Sequence, residues 1–260
     1  MKKKEVVAHI VQWLNKYSEN SGTKGFVIGI SGGIDSALTS TLCAMTGKET
    51  HCLNMPIRQH ADEYNRGHEH IKWLKKNFPA VHSHEVELTA TFESLEKALP
   101  STIQDWLTMA NSRARLRMTT LYAFACHHKL LVAGTGNKIE DFGVGFFTKY
   151  GDGGVDLSPI ADLMKSEVYA LSDMLGVVPS ILKAKPTDGL WADGRSDEDQ
   201  IGATYDELEW AMKFIARPHD FSQLSAREKI VLDIYTRMNN ANKHKMEPIP
   251  VCVIPEEFMI

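Results

Sequence analysis

The segment Gly25-Phe-Val-Ile-Gly-Ile-Ser-Gly-Gly-Ile-Asp-Ser36 constrains the fold of this chain more than any other. A short apolar run bounded by glycine is typical of a buried strand, and here it leads through Ser31-Gly-Gly33 into a helix-compatible stretch. The backbone N–H groups of a glycine-rich turn and the positive end of a helix together attract an anion. The sequence therefore predicts a phosphate-binding turn between a strand and a helix.

Asp35 is unexpected in this turn, because a carboxylate repels phosphate unless a cation lies between them. We therefore expect a magnesium–nucleotide complex. The turn is not a Walker loop, since no Gly-Lys-Ser/Thr follows the glycines, and it lacks the G-x-G-x-x-G of a dinucleotide-binding turn. An ordinary glycine turn in which Asp35 or Ser36 caps the helix is the open alternative.

Length and composition limit the class of protein. The chain has 260 residues, of which 43% are hydrophobic and 24% charged, as is typical of a soluble globular protein. Its net charge of −4 gives no reason to expect nucleic-acid or membrane partners. Met1-Lys-Lys-Lys is not followed by the apolar run of a secretory signal. We expect a cytoplasmic protein with one domain, residues 1–260.

Strands and helices alternate along the chain, which predicts a doubly wound parallel α/β sheet with right-handed crossovers, flanked by helices. In such a sheet, ligands bind beyond the carboxyl ends of the strands. The predicted strands are 26–30, 51–55, 81–88 and 130–133, and the predicted helices are 6–16, 36–45, 63–76, 92–99, 103–128, 205–215 and 225–238.

Three loops fall at the carboxyl ends of the predicted strands, and each carries a residue that is a candidate for binding the nucleotide or its metal ion. Arg58, after the second strand, is placed to meet a nucleotide, although a solvated surface arginine is an equal alternative. Glu140 and Asp35 together would supply the hard oxygen ligands that suit Mg²⁺, and a helix-capping role is the alternative for Glu140. The long segments 135–160 and 184–200 are typical of functional loops, and the second suits a mobile lid.

Four motifs give the chain a more specific resemblance. The motifs Ser31-Gly-Gly-Ile-Asp-Ser36, Asn111-Ser-Arg-Ala-Arg-Leu-Arg-Met118, Gly134-Thr-Gly-Asn-Lys-Ile-Glu140 and Phe146-Phe-Thr-Lys-Tyr-Gly-Asp-Gly-Gly-Val-Asp156 follow one another as they do in ammonia-dependent NAD synthetases. Pro186-Thr187, Ser196-Asp-Glu198 and His244-Lys245 continue the match over nearly the whole chain. The chain thus resembles this branch of the ATP pyrophosphatases, whose fold is that of the adenine-nucleotide α-hydrolases.

The resemblance implies a carbon–nitrogen ligase that completes NAD biosynthesis. The nicotinate carboxylate of deamido-NAD attacks the α-phosphate of Mg-ATP, which gives an adenylate and pyrophosphate. Ammonia then attacks the activated carbonyl and releases AMP, leaving NAD. A carboxylate accepts an amine only once one oxygen is a good leaving group, and adenylation supplies that group. ATP is thus a co-substrate and Mg²⁺ the cofactor.

Roles follow from the matched motifs. Asp152 is expected to orient or deprotonate the incoming ammonium, with Lys149 and Lys165 as further catalytic residues. Asp35 and Glu140 are expected to lie near Mg²⁺, and 185–200 to close as a lid against water. The implied ATP-binding residues are Gly29, Ser31, Gly32, Gly33, Asp35, Ser36, Arg58, Thr135, Lys165 and Thr187. The implied deamido-NAD-binding residues are Tyr17, Asn111, Arg115, Lys149, Asp152, Asp156, His244 and Lys245.

The chain departs from the family at two places. It has one more residue between Glu140 and Lys149 than some members, and Met246 stands where relatives often have arginine. Members of the family are homodimers, and the predicted helix 103–128 is a candidate dimer element. Only about 24 residues precede the first strand, so we expect no glutamine amidohydrolase domain ahead of it.

Two other functions are open from the residues. The first is another adenylating ATP pyrophosphatase, acting on a tRNA base or a purine nucleotide. An enzyme of that kind acting on tRNA would normally carry a basic extension or a reactive cysteine pair, and this sequence has neither. The second is a nucleotide-binding module without catalysis, which the implied roles of Asp152, Glu140 and Lys165 disfavour.

Overall fold

A four-stranded parallel sheet lies at the centre of the computed structural model, which describes residues 1–187, 196–217 and 221–259. The strands are β1 (Gly25–Gly29), β2 (Glu49–Asn54), β3 (Val81–Glu85) and β4 (Leu131–Val132), in the order β3-β2-β1-β4. The strand order reverses between β1 and β4, which opens a crevice at their carboxyl ends. The prediction of a doubly wound parallel sheet is confirmed.

Helices cover both faces of the sheet. Within the residues described, no helix combines the length and apolar character needed to cross a bilayer. The helices are α1 (Lys3–Asn20), α2 (Ile34–Met45), α3 (Ala61–Asn77), α4 (Thr89–Ala98), α5 (Trp106–His128), α6 (Lys165–Met174), α7 (Pro179–Leu182), α8 (Asp197–Ile201), α9 (Tyr205–Ile215) and α10 (Ala226–Met246).

The alternation of side chains along β1 explains why this strand is apolar throughout. Phe26 and Ile28 point to one face, where they join the core formed with α1, α2 and α6. Val27 points to the other face, where it joins the core beneath α4 and α5. A parallel strand buried on both faces reads as a continuous hydrophobic run, which is the pattern seen in the sequence.

A third apolar cluster joins α9 and α10 to a short π-helix, Ile139–Val144, within the segment predicted to be irregular. Ile139 and Val144 are fully buried in this cluster. Helix α6 was not predicted, although Val168 and Leu171 lie three residues apart on its buried face and Glu167 forms a capping box at its start.

Candidate functional site

A cavity of about 620 Å³ opens at the carboxyl ends of β1 and β4. The phosphate turn, α5, the segment after β4, the start of α6 and the end of α10 form its walls. The structure brings together here most of the residues predicted to bind ATP or deamido-NAD. Those lining it are Gly29, Ser31, Gly32, Gly33, Asp35, Ser36, Asn111, Thr135, Glu140, Asp152, Lys165, Thr187 and Lys245.

The turn Ser31–Ser36 joins β1 to α2 and lines the cavity, and phosphate binding there stays a prediction. Gly32 has φ of +85°, and a Cβ there would lie 2.3 Å from the carbonyl oxygen of Glu63, so only glycine fits. The Ser31 and Ser36 hydroxyls lie 3.1 Å apart, and Ser36 also donates to the Gly33 carbonyl at 3.0 Å. Helix α2 begins at Ile34, so its positive end faces the turn.

Lys165 lies at the centre of the charged part of the cavity. Its Nζ is 2.6 Å from Asp35 Oδ2 and 2.8 Å from Glu140 Oε1, and its side chain is 4% exposed. Burial alone would lower the pKa of Lys165, but the two carboxylates hold it above its usual value. Burial alone would raise the pKa of Glu140. The Lys165 ammonium outweighs this effect of burial, and the pKa of Glu140 therefore lies below its usual value.

Two residues without an assigned role complete this charged cluster. Asn137 donates to Asp35 Oδ1 at 3.0 Å and accepts the backbone N–H groups of Ile139 and Glu140, both at 3.1 Å. Tyr205 donates its hydroxyl to Glu140. An asparagine two residues before a helical turn is a signal that the sequence offers, because its side chain can accept backbone N–H groups of that turn. Tyr205 lies 65 residues from Glu140, and no local pattern connects the two.

The carboxylates suit a magnesium ion held jointly with a nucleotide. Within the described part of the chain, no group of three or more histidine, cysteine, aspartate or glutamate residues is arranged to hold a metal. Mg²⁺ is typically bound by one or two carboxylates together with substrate phosphates. Asp35 and Glu140, beside the phosphate turn, supply that number of hard oxygen ligands, so the residues present fit Mg²⁺.

Asp152 lines the same cavity as the phosphate turn. Its Oδ1 accepts the backbone N–H of Thr148 at 2.9 Å, and the Thr148 hydroxyl donates to Asn111 at 2.6 Å. Desolvation by the protein atoms around it raises the pKa of Asp152, with the hydrogen bond from Thr148 opposing, although the residue is exposed to solvent. Asp141, which sequence reasoning missed, lies nearby. Burial and the neighbouring carboxylates raise its pKa to about 8.

Several predicted site residues lie outside the cavity walls. Arg58 pairs with Glu96 at 2.7 Å and Glu93 at 3.3 Å, so its guanidinium is directed to α4 and not to the nucleotide site. Tyr17 packs against Trp13 on α1, with ring centroids 5.5 Å apart. Their roles stay predictions.

The others outside the walls hold the loop around the site. Asp156 accepts the Val132 N–H at 2.8 Å and the Tyr122 hydroxyl at 3.0 Å, and so ties β4 to this loop. Lys149 donates to the carbonyl of His244, and Arg115 donates to the carbonyl of Lys149 at 3.4 Å. These side chains therefore shape the loop, and their contact with substrate stays a prediction.

The two departures from the family pattern meet at one place. The interval between Glu140 and Lys149, which is one residue longer than in some members, begins within the π-helix Ile139–Val144. Met246 packs its methyl group against Gly145, which follows that turn. Lys245 donates to the carbonyls of Gly145 and Phe147, both at 2.8 Å. The end of α10, where Met246 stands in place of the arginine of relatives, thus contacts the loop through Met246 and Lys245.

The predicted lid, 185–200, is described only at its two ends. Thr187 and Asp197 line the cavity from those ends, and residues 188–195 lie outside the described part of the chain.

Comparisons with known proteins agree with this geometry. Residues 6–249 match the NAD synthase family. The NH(3)-dependent NAD(+) synthetase of Alkaliphilus metalliredigens is 38% identical over 94% of this chain and 97% of its own length. The protein of the same name from Methanosarcina mazei is 34% identical over 93% of this chain and 95% of its own.

Solved structures give the same fold. The NMN synthetase of Francisella tularensis superposes with a TM-score of 0.86 at 32% identity, over 98% of this chain and 99% of that one. The NH3-dependent NAD synthetase of Campylobacter jejuni gives 0.75 at 25% identity, over 97% of this chain and 100% of that one. With the phosphate turn, the Lys165 cluster and the Phe146–Asp156 loop in one cavity, this chain belongs to the NAD synthase family.

Proposed function

We propose that the chain is a ligase that uses ATP and ammonia to convert deamido-NAD into NAD, with release of AMP and pyrophosphate. The observation that carries the proposal is the charged cluster of Lys165, Asp35 and Glu140, next to a phosphate turn and facing Asp152 in one cavity. Curated relatives over almost the full chain carry the name NH(3)-dependent NAD(+) synthetase, which supports the same reaction.

The adenylation step would use the phosphate side of the cavity. The turn Ser31–Ser36 holds the pyrophosphate through its backbone N–H groups and hydroxyls. Mg²⁺, held by Asp35 and Glu140, would neutralise phosphate charge. Lys165 supplies a permanent positive charge, since its pKa lies above the usual value. Lys165 lies beside the phosphate turn, where its ammonium would also attract the phosphates of ATP.

The amidation step would use Asp152. The Asp152 carboxylate attracts an ammonium ion and accepts one of its protons as nitrogen approaches the activated carbonyl. The backbone N–H of Thr148 fixes the orientation of that carboxylate at 2.9 Å. Loss of this proton frees the nitrogen lone pair, which forms the C–N bond. AMP then leaves with the electrons of the acyl–oxygen bond, and the second proton lost by nitrogen passes to the departing phosphate or to solvent.

A mononucleotide substrate is a second candidate, and one comparison favours it. The Francisella tularensis structure is named NMN synthetase, and its TM-score of 0.86 is higher than the 0.75 of the Campylobacter jejuni NAD synthetase. The two reactions share the adenylation and amidation chemistry and differ in whether the nicotinate nucleotide carries an AMP half. The phosphate turn and Asp152 serve either substrate.

Purified protein with Mg-ATP, ammonium and either deamido-NAD or nicotinate mononucleotide tests both candidates. We expect release of AMP and pyrophosphate together with amide product, and the ratio of kcat/KM for the two nucleotides decides between the candidates. Bound ATP without amide product from either nucleotide would reject both.

We also propose that the active form is a homodimer built on α5. This helix has 23 residues, yet within its own chain it buries only Met109, Ala110 and Ala125 among those described. Tyr17 and Arg115 lie outside the cavity of their own chain, which is consistent with a nucleotide site shared between two copies. Sedimentation equilibrium gives the mass, and a monomer at assay concentration would contradict this.

A further inference from the structure

The segment that carries the catalytic carboxylates is held by a row of donors on α10. Asn239 Nδ2 donates to the Gly143 carbonyl at 2.7 Å and to the Phe142 carbonyl at 3.3 Å. Asn242 Nδ2 donates to the Val144 carbonyl at 2.9 Å. Lys245, one helical step further on, continues the row to Gly145. Each step of three residues along α10 therefore matches a step along the segment.

These bonds satisfy groups that would otherwise have no donor. The last carbonyls of a helix have no partner within it, and Phe142, Gly143 and Val144 end the π-helix. Gly143 and Val144 are buried, where an unpaired carbonyl is costly. The amides of α10 thus take the place of a helix cap, and they act across nearly 100 residues of sequence.

The row also fixes how closely the segment approaches α10. Gly145 has φ of +64°, and a Cβ there would lie 2.4 Å from the Cβ of Asn242. The backbone can approach this closely only because the residue is glycine. If the segment shifted along α10 by one residue, Gly145 would no longer lie opposite Asn242.

The two functional ends of the segment flank this contact. Glu140, on the phosphate side of the cavity, lies in the π-helix, and Thr148, which orients Asp152, follows three residues after Gly145. Because the donors hold the carbonyls between Glu140 and Thr148, the register of the segment against α10 determines where these two residues lie.

We propose that Asn239 and Asn242 are positioning residues for the reaction, which set the register of the segment 140–152 against α10 and so align Glu140 with Asp152. The inference rests on the proposed function for its kinetic consequence. Its structural part is the anchoring of the segment by the two amides, and this part does not depend on which nucleotide is the substrate.

Asn242→Asp tests the proposal, since aspartate keeps the shape of asparagine and removes the donor. Asn240→Asp is the matched control, because Asn240 is exposed on the same helix and the change in charge is the same. We expect Asn242→Asp to lower kcat by about tenfold or more relative to the control, with KM for ATP changed by less than about twofold. The phosphate turn lies on other elements, which is why ATP binding should survive.

Hydrogen–deuterium exchange of the peptide 139–149 supplies a readout without turnover. We expect faster exchange there in Asn242→Asp than in Asn240→Asp, and no difference in the peptide 25–36. Equal turnover in the two variants, or faster exchange with unchanged kcat, would overturn the proposal. If Asn242→Asp does not fold, Asn239→Asp decides in the same way. If the unmodified protein shows no turnover, the proposed function is rejected. The exchange rates of the two variants then still show whether Asn242 anchors the segment.

Discussion

The Nζ of Lys165 lies 2.6 Å from Oδ2 of Asp35, although the two residues are 130 positions apart. Both side chains lie against the phosphate turn, and Glu140 shares the same ammonium at 2.8 Å. Two carboxylates around one ammonium leave the cluster with a net negative charge. Burial, with Glu140 adding to it and Lys165 opposing, accordingly raises the pKa of Asp35. A cation that arrives with the nucleotide would meet a site already biased in its favour.

Removal of the Lys165 charge should therefore destabilise the fold. We expect Lys165→Met to lower the free energy of unfolding by about 3 kcal/mol, because two buried carboxylates lose their partner. Urea denaturation at pH 7.5 measures this. The combined change Lys165→Met with Asp35→Asn should recover part of the loss, since it also removes one of the carboxylates.

Lys138→Met is the control for this prediction. Lys138 pairs with Asp162, whose side chain is 95% exposed, and such a pair contributes less than about 1 kcal/mol. Equal denaturation curves for Lys138→Met and Lys165→Met would show that the buried cluster does not stabilise the protein.

Asp152→Asn should separate the two halves of the reaction. Asparagine cannot accept a proton from ammonium, so we expect amide formation to slow by about a hundredfold or more. Pyrophosphate release in a single turnover should stay within about twofold, because the phosphate side is intact. Quenched-flow assays of both products give these rates. Asp162→Asn serves as the exposed control, and normal amide formation by Asp152→Asn would refute the role of this carboxylate.

Two glycine substitutions should have opposite effects. A Cβ at Gly136 would lie 2.1 Å from the Asp141 carboxylate oxygens, so Gly136→Ala must displace that carboxylate from its position in the cavity wall. We expect a loss of about 1 kcal/mol in stability and a fall in kcat larger than that loss explains. Gly67→Ala, in α3, meets its nearest atom at 3.5 Å and should stabilise by about 0.5 to 1 kcal/mol. Thermal denaturation and kcat measure both, and a fully active Gly136→Ala would contradict the first expectation.

A cluster of imidazoles should make the stability depend on pH. The His51 ring lies 4.7 Å from that of His82, 5.0 Å from His84 and 4.4 Å from His128, between centroids. Burial and these neighbours lower the pKa of His51 to about 4, with Glu49 opposing. Because the folded pKa lies below the unfolded one, stability is complete above about pH 6.5 and falls as the pH drops toward 4.

We expect the free energy of unfolding to fall by about 1 to 2 kcal/mol between pH 7 and pH 5. Urea denaturation at both values gives the difference. His51→Asn should reduce it, whereas His9→Asn, on the exposed face of α1, should not. An unchanged pH dependence in His51→Asn would place its origin elsewhere.

Much of the fold could be read from local patterns. The continuous apolar run before Ser31 predicted β1, because a strand buried on both faces needs no polar alternation. The helical periodicity of Tyr205–Ile215 predicted α9 with the bounds that the structure shows. Strand β3 is shorter than predicted, since it ends at Glu85 where pairing with β2 ends.

Side-chain direction could not be read in the same way. Arg58 follows β2 as a nucleotide-binding residue would, yet Glu93 and Glu96 on α4 pair with its guanidinium. An exposed side chain takes the direction of its charged neighbours, and these neighbours lie more than 30 residues away. No spacing within the loop carries that information.

The sequence by itself determined the phosphate turn, the parallel sheet and the family, because each depends on residues that are adjacent or regularly spaced along the chain. Only the tertiary structure decided that Lys165 pairs with Asp35 and that Tyr205 donates a hydrogen bond to Glu140. It also decided that Asn239 and Asn242 hold the segment after Glu140. These contacts join elements far apart in sequence. Their physical basis is the burial of charges and carbonyls that need partners, and that need appears only once the chain has folded.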